Sequence, residues 1–526
     1  MRLSLSLVVF IVAFNLAGSG ENAKAVLLTP SNRTALSAIS AETIRAHIRF
    51  LSDDSLRGRD TGSDGYHIAA RYAAAQFERV GAKPAGENGT YFQSVWVYRT
   101  SANPRSSVKL TAGDQEGQWV FGKDFACAAA ANTAPLISAE TVFVGYGIKS
   151  NDRDDYEGID AKAKVVVMLD GAPEGMPATA GRMMSKTRAA RDAGAVGIVV
   201  VVDSKDWTAW SEYYSRPRAA LKRGEPPQTG RTGSLPTIIA NAQSAAPIAK
   251  AGSSAKIEID LLPGVVEEID SPNVIAKVEG SDPKLKNEYV IYTAHLDHIG
   301  LSTPVDGDHI CNGALDNASG TAVLLSVAEA YAKLKPAPKR TMVFLLVMGE
   351  ERGFWGSNHY VRNPIFPLSK TTANINIDMP AAWKMSRSMI VNGSERSSLK
   401  APVELGLQAV DLVVDKDPWP SKRYFYRSDQ IVFARAGVPA FYMEPGFKWV
   451  GMAEKAAMDE FEEWERARYH QVGDEMLPHW DYQAFRKVAD AAFIIGQSIN
   501  RDTKLASWNE GDEFEKARKE SIAQGK

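Results

Sequence analysis

Apolar positions in the first part of the chain recur at helical spacing. Ile44, Ile48 and Leu51, then Ala69, Tyr72, Ala73, Phe77 and Val80, predict two amphipathic helices between Ala41 and Val80, broken by the turn-forming run Arg57-Gly58-Arg59-Asp60-Thr61-Gly62-Ser63. The texture then changes. Thr141 to Tyr146, Val165 to Leu169 and Gly197 to Val202 read as strands, with a helix near Lys186 to Ala193, whereas Trp207 to Pro236, rich in Arg, Pro, Gly and Ser, predicts a long surface loop. Leu261 to Pro272 mixes acidic residues with Gly and Pro as a boundary does, which sets off a small domain over residues 133–262. Beyond it, the apolar runs Val290 to Thr293, Met342 to Val347, Ala373 to Ile377 and Ala440 to Met443 alternate with helical stripes such as Leu324, Leu325, Ala328 and Tyr331. Short, wholly apolar strands belong to parallel sheets covered on both faces, so an α/β sheet is expected, with its chemistry beyond the carboxyl ends of the strands.

Composition narrows the field. A chain of 526 residues holds two or three domains at about 150 residues each, which excludes a single small module. Lys and Arg number 61 against 63 for Asp and Glu, so no basic field is available to hold nucleic acid. The only cysteines, Cys127 and Cys311, form no CxxC pair, and a metal site must draw on His, Asp and Glu. At the amino terminus Met1-Arg2 is basic, Leu3 to Leu16 is mostly apolar, and Ala23-Lys24-Ala25 offers small residues at signal-peptidase spacing. Residues 1–25 therefore read as a cleaved export signal, because a membrane span needs about 20 apolar residues. With no later window of that kind, the expected location is periplasmic or extracellular, with no membrane span after cleavage.

Polar residues follow the predicted strands in a pattern. The first run ends in His295-Leu296-Asp297, the next loop holds Asp316-Asn317, the second run ends in Glu350-Glu351, the third in Asp378, and Tyr469-His470 comes later. Several carboxylates converging beyond one sheet repel each other, so either they splay into water or cations hold them together. Two His and three carboxylates suit Zn(II), and a bridging carboxylate would allow two metals about 3.5 to 4 Å apart. Glu350 is then left over as a general base for a metal-bound water, while the adjacent Glu351 binds metal; Gly349 lets the chain turn both toward one cleft.

These segments resemble the di-zinc aminopeptidase family, which includes bacterial and vacuolar aminopeptidases and, more distantly, glutamate carboxypeptidase and the transferrin receptor. The matching motifs are Thr293-Ala294-His295-Leu296-Asp297, Asn312-Gly313-Ala314-Leu315-Asp316-Asn317-Ala318-Ser319-Gly320, Gly349-Glu350-Glu351-Arg352-Gly353-Phe354-Trp355-Gly356-Ser357, Asn376-Ile377-Asp378-Met379 and Tyr469-His470. The resemblance implies a zinc-dependent exopeptidase fold, a mixed, mostly parallel sheet with helices on both faces. It implies two Zn(II) per chain: His295 and Asp378 on one, Glu351 and His470 on the other, Asp316 bridging, Glu350 as base, Tyr469 polarising the substrate carbonyl and Asp297 orienting His295. Val142-Phe143-Val144-Gly145-Tyr146-Gly147, Asp155-Tyr156 and the Val165 strand resemble an inserted protease-associated domain, here residues 133–262. The catalytic domain is then split into residues 40–132 and 273–502, with a charged tail at 503–526.

Two positions depart from the family pattern: Leu315 stands where many members have an acidic residue, and Ser428-Asp429-Gln430 replaces the commoner Ser-Asp-His. Cys311 reads as a buried filler, and His298 and His309 as hydrogen-bonding groups at the cleft edge. The function implied is an exported metallo-aminopeptidase acting on peptides. Its rivals are a carboxypeptidase, for which Arg352, Arg427 or Lys448 would bind the substrate carboxylate, a one-zinc glutaminyl cyclase, and a non-catalytic receptor-like protein, which would lack the ligands and the base.

Overall fold

Serine side chains start two helices of the amino-terminal part, which follow a shorter one, Pro30–Leu36, begun by Thr29. The Ser40 hydroxyl accepts from the Thr43 amide ahead of α1 (Ala41–Leu51), and that of Ser63 accepts from the Tyr66 amide ahead of α2 (Asp64–Val80), each satisfying an amide that the helix leaves unpaired. The computed structural model describes residues 20–129, 136–224, 235–251 and 255–525, so Leu3 to Leu16 of the expected export signal lies outside the described residues. The chain divides into two units, one holding the residues up to Val95, Asp270–Gly300 and everything from Cys311 on, the other Trp96–Ile269 and Leu301–Ile310.

The first unit is a mixed α/β structure. After α2 it contains β1 (Asn273–Val278), β2 (Tyr289–His295), α3 (Gly320–Lys333), β3 (Thr341–Val347), α4 (Trp355–Arg362), β4 (Thr371–Ile377), β5 (Ser388–Asn392), α5 (Lys400–Ala409), β6 (Val413–Asp415), α6 (Gln430–Arg435), β7 (Ala440–Pro445), α7 (Glu454–Arg468), α8 (Tyr482–Ile499) and α9 (Glu515–Gln524). Its nine-stranded sheet runs Lys83–Pro84, β1, β3, β2, β4, β7, β5, β6, with Phe92–Gln93 also paired to β1. The four central strands β3, β2, β4 and β7 are mutually parallel; β1 pairs antiparallel with β3, and β5 with β7. All seven residues of β3 and of β4 are buried, as strands covered on both faces require. On one face Tyr292 and Phe344 stack at 5.7 Å and meet Tyr331 of α3, which in turn meets Phe493 of α8. On the other, Ile291, Val343 and Leu345 pack with Phe433 and Val438, and with Trp508 and Phe514 from the segment after residue 502. The Arg518 guanidinium in that segment is buried, donating to the Leu368 and Ala506 carbonyls.

In the second unit an eight-stranded sheet has a parallel centre of Ile137–Phe143, Val165–Leu169, Gly197–Val202 and Thr237–Asn241. The unit includes Ser107–Ala112 because that strand pairs along the whole of Ala255–Asp260. The long loop expected from Trp207 is instead a helix, Trp207–Ser215, followed by a strand, Arg218–Leu221, antiparallel to Trp96–Ser101. Trp207, Ala209 and Ser211 of that helix are buried, and packing overrides the polar composition. Residues 225–234 of the expected loop lie outside the described residues. Among the described residues no helix is long and apolar enough to cross a membrane.

Candidate metal centre

The carboxyl ends of β2, β3 and β4 deliver polar side chains to one place. His295 closes β2, and its Nε2 lies 3.1 Å from Oδ1 of Asp316 and 3.1 Å from Oδ1 of Asp378, the residue that follows β4. Asp316 shows its second oxygen to another histidine: Oδ2 is 3.2 Å from Nε2 of His470, which is also 3.1 Å from Oε2 of Glu351. Ligand-type atoms of His295, Asp316 and Asp378 lie within 4.8 Å of one another, and so do those of His298, Asp316 and Glu351. All five residues expected as metal ligands thus meet around the two oxygens of Asp316. Cys311 is buried, is not in a disulfide and belongs to neither group.

The loops that carry these groups are held by buried hydrogen bonds. Asp474 accepts the Leu315 amide at 2.9 Å and the Asp316 amide at 3.0 Å, while its own carbonyl accepts the Ala314 amide. Asn317 ties that loop to the next strand, its Nδ2 donating to the Ile377 carbonyl and its Oδ1 accepting the Met379 amide. The fully buried Arg59 guanidinium donates to the carbonyls of Leu51, Leu296, Asn312 and Gly313, joining the loop after His295 to the loop before Asp316. At Gly349 φ is +64°, and a Cβ there would lie 3.0 Å from Cβ of Trp355, so only glycine fits this turn from β3 into Glu350-Glu351.

Several expectations need revision. The Nδ1 of His295 donates to the main-chain carbonyl of Asp297 at 3.1 Å, with the carboxylate at 3.8 Å. That carboxylate instead accepts the Thr61 hydroxyl and the Glu350 amide, each at 3.2 Å. His298 is not at an edge: it is fully buried, its Nδ1 2.9 Å from Oε1 of Glu351. His309 belongs to the second unit and pairs there with Glu212 at 2.8 Å. Leu315 is a core residue, and Gln430 is a buried junction that accepts from Asn376 and donates to the Phe425 carbonyl. Arg352 is held by Asp60 at 2.5 Å and Lys448 by Asp415 at 3.1 Å, whereas Arg427 is exposed and faces Asp378 and Tyr469 across a recess. Arg59, His298, Asn317 and Asp474 are the participants that sequence patterning did not single out for these roles.

The electrostatics ask for positive charge. Burial alone would depress His470, but the carboxylates of Asp316 and Glu351 outweigh it and push the imidazole up to about 10; His295 is raised for the same reason by Asp378 and Asp316. Burial first, then Asp378, Asp429 and Glu351, push the carboxyl of Glu350 up. Burial likewise raises Asp297 and Asp474 to about 6 and Asp429 to about 7. The donor set fits divalent zinc. His470 Nε2 is buried beside two carboxylate oxygens yet aligned for a hydrogen bond with neither. Nitrogen–oxygen separations of 3.1–3.2 Å are close to the roughly 3.3 Å between tetrahedral ligands each about 2.0–2.1 Å from a shared zinc.

Residues 273–494 match the model of peptidase family M28. Among curated proteins, the chain is 35% identical over 115 residues to a probable zinc metalloprotease of Pyrenophora teres, covering 22% of this chain and 24% of that protein. It is 27% identical over 217 residues to an aminopeptidase of Bacillus subtilis, covering 39% of this chain and 43% of that one. The chain thus spans about a quarter of the length of the first of these relatives and under half of the second. Among solved structures, a zinc aminopeptidase of Bacillus subtilis aligns with a TM-score of 0.47 and 18% identity, covering 87% of this chain and 94% of that one. A peptidase M28 precursor of Shewanella amazonensis aligns with a TM-score of 0.47 and 17% identity over 92% and 98% of the two chains.

Proposed function

From the match of residues 273–494 to the model of peptidase family M28, we propose that the chain is an exported di-zinc exopeptidase that removes amino-terminal residues from peptides. The observation that carries this reading is the division of Asp316, one oxygen toward His295 and the other toward His470. In the proposal His295 and Asp378 hold one ion, Glu351 and His470 the other, and Asp316 both; His298, against Glu351, orients that carboxylate. Zinc bound there supplies Lewis acidity, which acidifies water and polarises a carbonyl.

The chain's own residues do the rest. Among the described residues no histidine lies within ion-pairing distance of Glu350, which leaves it to take the proton of the attacking water and return it to the departing amine. A raised carboxyl suits that double duty, since it gives up a proton as readily as it accepts one. Tyr469, its ring stacked 3.9 Å from that of His470, donates its hydroxyl to the oxygen that becomes negative as water adds. We assign the second unit to a protease-associated domain.

The test is a panel of aminoacyl amides and amino-blocked peptides, run before and after chelation with metal content measured. Hydrolysis of the free-amine substrates that chelation abolishes and zinc restores is the expected result, at two zinc ions per chain. Cleavage confined to blocked peptides would turn the assignment to a carboxypeptidase with Arg427 as the carboxylate anchor; one zinc with cyclising activity would turn it to glutaminyl cyclase chemistry; no turnover of any kind would leave a receptor-like protein.

A further inference from the structure

A recess of about 500 Å³, counted with its open mouth, lies against Asp378 and Tyr469. Met379, Phe461, Tyr424 and Tyr442 give part of its wall an apolar and aromatic surface that suits a methylene stem, beside the polar Arg427, Ser428 and Glu465. Glu444 also lines it. The parallel pairing of β4 with β7 matches Ile377 to Met443, so Asp378, the first residue past β4, has Glu444, still within β7, alongside it. Glu444 is only 6% exposed. Its hydrogen-bond donor is the Tyr442 hydroxyl at 3.2 Å, and among the described residues no Lys, Arg or His pairs with it.

The cations nearby do not pair with Glu444. Lys422 is bound to Glu465 at 2.5 Å, and the exposed Arg427, which also lines the recess, lies over the Tyr424 ring at 5.5 Å. What Glu444 does feel is negative: after burial, Asp417, Asp378 and Glu465 push its carboxyl up to about 8. A buried carboxyl among carboxylates, at the side of a partly aromatic recess, is a position that a cationic group on a flexible stem would fill, since it supplies the missing charge without displacing any existing pair.

Resting on the exopeptidase reading above, we infer that this recess receives the side chain of the substrate's amino-terminal residue and that Glu444 selects lysine or arginine there. The stem lies along Phe461 and Tyr424, and the ammonium or guanidinium reaches Glu444. Because the recess borders Asp378 and Tyr469, a side chain seated in it brings its own carbonyl to the candidate metal centre.

The experiment compares kcat/KM for lysyl and norleucyl amides, which share a stem and differ in the charge at its tip. In the native chain the lysyl-to-norleucyl ratio is expected above about 10, and in Glu444→Gln it falls at least tenfold; a ratio is unaffected by any overall loss of folded or active enzyme. As a second measurement that needs no variant, free lysine should compete at least tenfold more tightly than free norleucine with native enzyme. Turnover of norleucyl amide equal to or faster than lysyl, or a ratio that Glu444→Gln leaves in place, overturns the selection by Glu444 while the exopeptidase assignment stands. Failure to hydrolyse any aminoacyl amide overturns the exopeptidase reading and this inference together.

Discussion

Glu350 and Asp474 illustrate two kinds of acidic residue at one centre. Glu350 is the proposed base, and Glu350→Gln keeps the shape of the side chain while removing its capacity to take a proton. Turnover is expected to fall by at least 10² with bound zinc unchanged, measured by steady-state kinetics alongside metal analysis. Asp474 touches no substrate; it grips the amides of Leu315 and Asp316 and so aims the carboxylate that both histidines share. Asp474→Asn puts an amide NH₂ where one of those backbone donors pointed, and zinc affinity should weaken about 10- to 100-fold in a competition titration against a chelator. An Asp474→Asn protein with native affinity would show that Asp316 keeps its aim without the clamp. His295, Asp316, Glu350 and Glu351 could be read from the sequence because each follows an apolar run or opens a helical stripe. Arg59 and Asp474 could not, because a single charged residue in a loop looks the same whether it faces solvent or four buried carbonyls.

At the level of elements, the contact between α1 and α2 contains a titratable joint. His47 of α1 is buried and its Nδ1 sits 2.8 Å from the Tyr72 hydroxyl of α2, their rings edge-on. Burial, with help from Arg79, pushes the imidazole down to about 4. The unfolded chain therefore takes up the proton first as pH falls: the folded state is favoured in full above about 6.5 and loses that advantage on the way to about 4. The loss attributable to His47 is at most about 3 kcal/mol. Urea unfolding at pH 7.5 and pH 4.5 should show this as a smaller acid-induced drop in His47→Gln than in the native chain. Both helices were legible from their apolar stripes. The parallel strands were legible too, being short and wholly apolar, but β1 and β5 were not: strands at the flanks of a sheet mix polar and apolar residues, and Asn273 and Ser388 broke the run. The helix Trp207–Ser215 escaped because its buried residues are one tryptophan and two small residues rather than an aliphatic stripe.

For the molecule as a whole, every candidate metal ligand belongs to one of the two units, so chelation has a localised thermodynamic effect. Ions that bind only the folded form stabilise it by about 4 kcal/mol when free metal exceeds Kd a thousandfold. Calorimetry of chelated against zinc-loaded protein is expected to lower the melting of the unit that contains Asp316 by several degrees and leave the transition of the other unit in place. Equal displacement of both transitions would contradict that assignment. The division itself was partly legible from the change in texture after Val80, but the membership of Ser107–Ala112 depends on its pairing with Ala255–Asp260, a partnership about 150 residues apart that no local pattern announces. Trp508 and Phe514 present the same difficulty, two large rings in a charged stretch that nonetheless close the face formed by Ile291, Val343 and Leu345. Their lateness has a consequence for biosynthesis: a nascent polypeptide whose ribosome has already read every candidate zinc ligand still exposes an open hydrophobic wall until Phe514 emerges. The closed core of this unit is in this sense completed only late in synthesis, and a premature stop between His470 and Trp508 would yield a protein with all its candidate metal ligands encoded and this face of its interior left open.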